Sequence, residues 1–181
     1  MGDSRTDLLA RIVDEAARHG LADRSLRDLA TAVGSSHRML LYHFGSREGL
    51  VAAVVAHVEA AQRAAMTATP LAGATAVEVI RSVWARVSAE EMRPLVRLFF
   101  EAVACAGPAP ANADQPDLTS AWVADAVGLA AQLGLPPDPA GARLGVAVIR
   151  GLLLDVVSGG SVEAATEAFE QFLVVIKDFR P

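Results

Sequence analysis

Lysine, cysteine and aromatic side chains are scarce in this chain of 181 residues. Cys105 is the only cysteine, which excludes an intrachain disulfide framework and a cysteine metal cluster and fits a reducing cytoplasm. Aromatics make up 5% of the residues although 52% are hydrophobic. The core must then be built largely from Ala, Leu and Val, a composition that suits helices packed on helices. No long hydrophobic run is present. The most apolar stretch, Leu144 to Val157, is broken by Arg150 and Asp155 and falls short of the roughly 20 residues that a membrane-spanning helix needs. The segment MGDSRTDLL has no basic stretch leading into an apolar core, so a secretory signal is not expected. The histidines, at 19, 37, 43 and 57, have no metal-site spacing. No nucleophile is accompanied by a base, and Gly159-Gly160 follows no strand and so does not form a phosphate-cradling loop. An enzyme is therefore not expected, nor a metal or a cofactor.

Charge of one sign is also missing where a nucleic-acid binder would carry it. The net charge is −5, and Lys177 is the only lysine. Residues 1–50 hold equal numbers of arginine and acidic side chains, so the entire excess lies in the acidic remainder. Such a balance excludes wholesale adhesion to DNA but leaves room for one recognition face, with the acidic remainder suppressing nonspecific binding.

That face is found in residues 25–47, SLRDLATAVGSSHRMLLYHFGSR. Ser25 and Asp28 have the spacing of a capping box. Leu26, Leu29, Ala30 and Val33 recur at helical spacing, and Gly34 is placed to end the helix with a left-handed backbone. Ser36 can cap a second helix, His37 to Phe44, with Leu40, Leu41 and Phe44 pointing inward. His37, Arg38, Met39, Tyr42 and His43 are then left outside. Helix, glycine turn and a second helix rich in exposed donors form a helix-turn-helix pattern that reads the major groove. Arg38 is the leading base reader, because a guanidinium pairs bidentately with guanine. His37 and Tyr42 can donate to bases or phosphates, and Met39 offers an apolar contact to a thymine methyl. Ser25 and Arg27, at a helix start, are expected on phosphate, and Ser36 at the head of the second helix is grouped with them.

The remaining chain reads as helices and loops. Ser46 caps a helix from about Arg47 to Met66, and residues 67–75 are a small-residue linker. A helix from Ala76 to Val87 follows. Ser88 with Glu91 reads as a capping box opening a helix to about Ala106, with Pro94 in its first turn. Residues 107–116 are the clearest loop. Helices over Asp117–Leu133, Ala140–Val157 and Val162–Phe179 complete an all-α chain of about nine helices. The last two are strongly apolar. Their residues Leu144, Val148, Leu152, Phe169, Phe172 and Ile176 would close a four-helix bundle with a two-fold partner.

Residues 8–54 resemble the DNA-binding domain of the TetR-like transcriptional regulators. The likeness rests on the first helix ending at Gly20, on Arg27-Asp28-Leu29-Ala30, on Gly34 to Ser36, and on Tyr42-His43-Phe44 with Ser46-Arg47-Glu48. Many members carry Lys-Gly-Thr-Leu-Tyr where this chain has His37-Arg38-Met39-Leu40-Leu41, so no operator sequence can be borrowed. The resemblance implies a three-helix head over residues 1–48 and an effector-binding, dimerising body over residues 49–181. It places His43 and Arg47 on the phosphate backbone. It implies a homodimer on a pseudo-palindromic double-stranded operator, most often a repressor released by a small molecule. Trp84, Val87, Phe99, Phe100, Val103, Trp122 and Ala126 are candidate walls of a largely apolar effector pocket, with Arg81, Glu101 and Asp155 as polar anchors. The competing expectation is a helical small-molecule-binding or scaffold protein that binds DNA weakly.

Overall fold

The computed structural model describes residues 4–67, 73–106 and 119–178. Among them are nine α-helices and no strand. Helix α1 (Arg5–His19) starts at Ser4, whose hydroxyl accepts from the Asp7 amide, and stops at Gly20, whose φ of +82° lies in the left-handed region. It buries Leu8, Leu9, Ile12, Val13 and Ala16 at helical spacing. Helices α2 (Leu26–Ala32) and α3 (His37–Phe44) follow, and then α4 (Arg47–Thr67) and α5 (Ala76–Val87). A single 3-10 turn (Glu90–Met92) leads into α6 (Arg93–Ala106). Helices α7 (Ser120–Gln132), α8 (Pro139–Val157) and α9 (Val162–Asp178) complete the order.

The sequence placed most of these boundaries, with one correction. The capping box expected between Ser88 and Glu91 does not form. Ser88 lies at φ −88°, ψ −5°, a helical conformation that closes α5, whereas an N-cap needs extended backbone. Its hydroxyl donates to the Trp84 carbonyl instead, at 2.8 Å. Pro94 does fall in the first turn of α6, where its missing N–H costs nothing. Residues 117 and 118, expected to open α7, lie outside the described residues, as do the 107–116 loop, most of the 67–75 linker and Phe179.

The chain divides into two compact units. Unit 1 comprises residues 1–61 and 94–113, and unit 2 comprises residues 62–93 and 114–181. In unit 1 the fully buried side chains include Leu8, Ile12, Leu21, Leu29, Leu40, Leu50, Val51, Val54, Val58 and Leu98. These are aliphatic, as the scarcity of aromatics requires. Unit 2 is organised around a ring pair. Trp84 of α5 and Phe169 of α9 stack with centroids 5.0 Å apart and planes 17° from parallel. The indole Nε1 donates to Thr166 Oγ1 at 3.0 Å, so the buried tryptophan leaves no polar atom unpaired. Arg63 bridges Asp125 at 2.5 Å within this unit, and Arg150 donates to Thr119 Oγ1 at 3.0 Å. No helix among the described residues is long and apolar enough to cross a membrane.

Candidate nucleic-acid interface

Two polar caps and one glycine turn set the geometry of α2 and α3. Ser25 Oγ accepts from the Asp28 amide at 3.2 Å, and the Asp28 carboxylate accepts from the Ser25 amide at 3.0 Å. This reciprocal pair is the expected capping box. The Ser25 hydroxyl, then its backbone N–H, hold the Asp28 carboxyl below its ordinary pKa. At the other end, Gly34 has φ +66° and Ser35 N donates to the Ala30 carbonyl at 2.8 Å, reversing the chain. Ser36 then caps α3 by accepting from the Met39 amide at 3.2 Å.

Within α3, Leu40 and Phe44 are buried against the unit. Arg38 and Tyr42, one turn apart, are exposed, Tyr42 to 79%. Leu41, expected to point inward, is 39% exposed and stands beside them. The reason is angular. Leu40 and Phe44 are four residues apart and define the buried line, and Leu41 lies a further 100° or so around the helix. His37, Met39 and His43 are half-buried, and Ser25, Arg27 and Ser36 are exposed.

Three residues, Arg5, Gly49 and Glu101, fix the surroundings of this helix in ways the sequence reading did not foresee. Arg5 Nε donates to the His43 carbonyl at 3.3 Å, and its guanidinium lies 5.3 Å from the Phe44 ring centre. A cation at the end of α3 also complements the helix dipole. Gly49 lets α4 start close beneath α3, because a Cβ there would run into the Phe44 carbonyl. Glu101, from α6, accepts from the amides of Leu21 and Ala22 at 2.6 and 2.5 Å. Glu101 lies 80 residues from Leu21, beyond any local pattern.

Other expected site residues are placed differently. Arg47 turns its guanidinium to the α1–α2 loop, donating to Ala22 O at 2.7 Å, Leu21 O at 3.3 Å and Arg24 O at 3.4 Å. His43 presents an edge to Tyr42, and its Nε2 is buried without a hydrogen-bond partner among the described residues. The suggested pocket residues fall in both units. Trp84, Val87, Trp122 and Ala126 belong to unit 2, and Phe99, Phe100 and Val103 to unit 1. Trp84, Val87, Phe99 and Trp122 are buried; Phe100, Val103 and Ala126 are half-buried. The suggested polar anchors are otherwise engaged or exposed. Glu101 holds the loop, Arg81 pairs with Glu170 at 2.6 Å on the surface, and Asp155 is exposed. Phe169, expected at a partner surface, is fully buried against Trp84 within its own unit. Of the other residues expected there, Leu144 is exposed, and Val148, Leu152, Phe172 and Ile176 are half-buried. Leu154, Val174 and Val175 are exposed as well.

Comparisons with known proteins agree with this geometry. Residues 8–54 match the family model described as bacterial regulatory proteins, tetR family. A TetR-family transcriptional regulator from Pectobacterium atrosepticum superposes with a TM-score of 0.72, covering 95% of this chain and 91% of its own at 21% identity. A TetR-family regulator structure from Rhodococcus sp. gives 0.68, with 94% and 96% covered at 22% identity. Salmonella enterica GusR gives 0.55, with 90% of each chain covered at 19% identity. No curated protein matches the chain by sequence. At such identities the superpositions establish the fold, while the family match covers the helix-turn-helix itself. Residues 8–54 thus match the tetR-family helix-turn-helix model, and the described residues adopt the all-helical fold of TetR-family regulators.

Proposed function

We propose that this protein is a sequence-specific transcriptional regulator, a homodimeric repressor released from its operator by a small, largely apolar effector. The observation that supports it most is the outer face of α3. Arg38, Leu41 and Tyr42 project from a helix capped at one end by Ser36 and held at the other by Arg5. In this reading Arg38 pairs with a guanine edge, and Leu41 joins Met39 as an apolar contact to thymine methyls. Tyr42 and His37 donate to bases or phosphates. Ser25, Arg27 and Ser36 meet the backbone at two helix starts. His43 reaches phosphate by rotating its ring outward, which also relieves the cost of a buried, unpaired nitrogen. Arg47 acts through the loop it holds rather than through a phosphate.

The dimer reading draws on α8 and α9. Leu144, Leu154, Val174 and Val175 are large apolar side chains left in water by a single copy, a disposition that a two-fold partner presenting the same helices would cover. The functional division remains a head over residues 1–48 and an effector-responsive body over residues 49–181. The effector reading rests on the fold's family; one protein of similar fold, at a TM-score of 0.63, was solved as a molecular basis for control of antibiotic production by bacterial hormones.

The test is selection of DNA fragments from a random pool by the purified protein at two salt concentrations. A palindromic motif whose half-sites lie about 34–36 Å apart, bound less tightly at higher salt, is the expected result. An unselective pool at both concentrations would leave the competing reading, a ligand-binding helical protein with a weak head, which the neutral charge of residues 1–50 favours.

A further inference from the structure

Two helices meet the boundary between the compact units. Helix α4 begins in unit 1 and passes out of it after Ala61; α6 begins at Arg93, where the first segment of unit 2 ends, and continues in unit 1. Inside unit 1, each of these helices places one charged side chain on the same loop, residues 20–24 between α1 and α2. Glu101 of α6 accepts from the Leu21 and Ala22 amides. Arg47 of α4 donates to the Leu21, Ala22 and Arg24 carbonyls. The loop therefore has its amides held from one helix and its carbonyls from the other. Its conformation fits the arrangement. Gly20 turns the chain at φ +82°, and a Cβ there would sit 3.3 Å from the Glu101 carboxylate. Leu21 is buried, and Ser25, which caps α2, follows soon after.

We infer that Glu101 is a positioning residue for DNA recognition: it holds the α1–α2 loop and, through it, the seat of the helix-turn-helix. The inference rests on the DNA-binding reading above. Its physical basis is that α2 and α3 are joined by a capped, glycine-closed turn, so the placement of the pair depends on where it is attached. A carboxylate on two adjacent amides makes charge-assisted bonds, stronger than neutral ones, and withdrawing it leaves two donors to find water. Because the holding groups belong to α6 and α4, a change in either helix that retracts Glu101 or Arg47 frees the loop without touching the recognition surface.

The experiment compares the full chain with Glu101→Ala and Glu101→Gln. Three properties are measured: amide hydrogen exchange at Leu21 and Ala22, affinity for fragments selected by the unmodified protein, and the motif each variant selects. In Glu101→Ala both amides should exchange at least about tenfold faster, and affinity should fall by about tenfold, with the motif unchanged. Glu101→Gln keeps a neutral acceptor of the same shape and should recover part of both losses, a graded rescue that general destabilisation does not give. If the alanine variant does not fold, the glutamine variant carries the comparison alone. Faster exchange with unaltered affinity would show a purely structural clamp and overturn the inference, as would unaltered exchange or a changed motif. An unmodified protein that selects no DNA overturns the underlying reading instead, and the exchange data still separate that outcome from an absent clamp.

Discussion

The two compact units are held together by different kinds of bond. Unit 1 has its helix ends and its α1–α2 loop fixed by polar groups: Ser4, Ser25, Ser36 and Ser46 at helix starts, and Arg5, Arg47 and Glu101 on backbone atoms. Unit 2 caps its helix starts too, at Thr75, Asp138 and Ser161, but its helices meet through side chains far apart in sequence, with the Trp84–Phe169 stack at its centre and Arg63–Asp125 and Arg81–Glu170 around it. Polar end-fixing defines angles, which a recognition helix needs. Side-chain packing between helices far apart in sequence fills volume and carries stability. The difference also says where damage should appear: in affinity for the first unit and in stability for the second.

The largest effect should come from the stack. Phe169→Ala removes a fully buried ring and the face against which Trp84 lies, and a Phe-to-Ala change in a core costs about 3–5 kcal/mol. Both tryptophans, Trp84 and Trp122, lie in unit 2, so the transition followed by tryptophan emission during denaturation reports that unit. The midpoint should fall steeply in the variant. A midpoint within experimental error of the unmodified protein would remove the stack from the centre of unit 2 and collapse the contrast drawn here.

A smaller effect, of another kind, is expected in the head. Arg38→Ala leaves every cap intact, because the side chain is exposed and touches none of them. It should leave the unfolding transition in place yet cost about 1–3 kcal/mol of specific binding and relax discrimination at one base pair. Repeating the DNA selection with the variant decides the matter. An unchanged motif would move base reading elsewhere on α3, to Tyr42 or Leu41, and a lowered transition would mean that Arg38 is structural.

This division of labour also explains what could be read in advance. Ser25 with Asp28, Gly34, Ser36 and Ser46 act over three or four residues, so their roles are written in adjacent letters and the head was legible. Ser88 and Glu91 have the same spacing and failed, because the preceding α5 keeps Ser88 in helical backbone. Leu41 was misplaced for want of one turn's angular detail. Glu101 and the buried state of Phe169 depend on what packs alongside, over separations such as the 80 residues from Leu21 to Glu101, and Gly49 depends on how closely α4 follows the end of α3. The expected effector walls illustrate the same limit. Trp84 was expected in a pocket wall, but its partners, Phe169 and Thr166, lie more than 80 positions away.

The smallest expected effect tests whether polar fixing of the head depends on charge. Glu15, on α1, accepts from Arg24 at 2.7 Å and lies 3.2 Å from His19 Nδ1. The Arg24 hydrogen bond, helped by the charges of His19, Arg24 and Arg18, lowers the Glu15 pKa from its ordinary 4.5 even though partial burial works the other way. The folded state thus prefers the carboxylate more than the unfolded chain does. That preference contributes its full stability above the ordinary value, and it is lost as pH falls through the lowered folded value. Glu15→Gln keeps the shape and removes the titration. At neutral pH the variant should be slightly less stable than the unmodified protein, and the gap should close as pH falls through and below the ordinary value of 4.5. Hydrogen exchange of the α1 and α2 amides reads the gap in unit 1 alone. A gap that stays constant across that range would mean that Glu15 acts by packing, and the head's hold on its own helices would then owe less to charge than the caps and clamps imply.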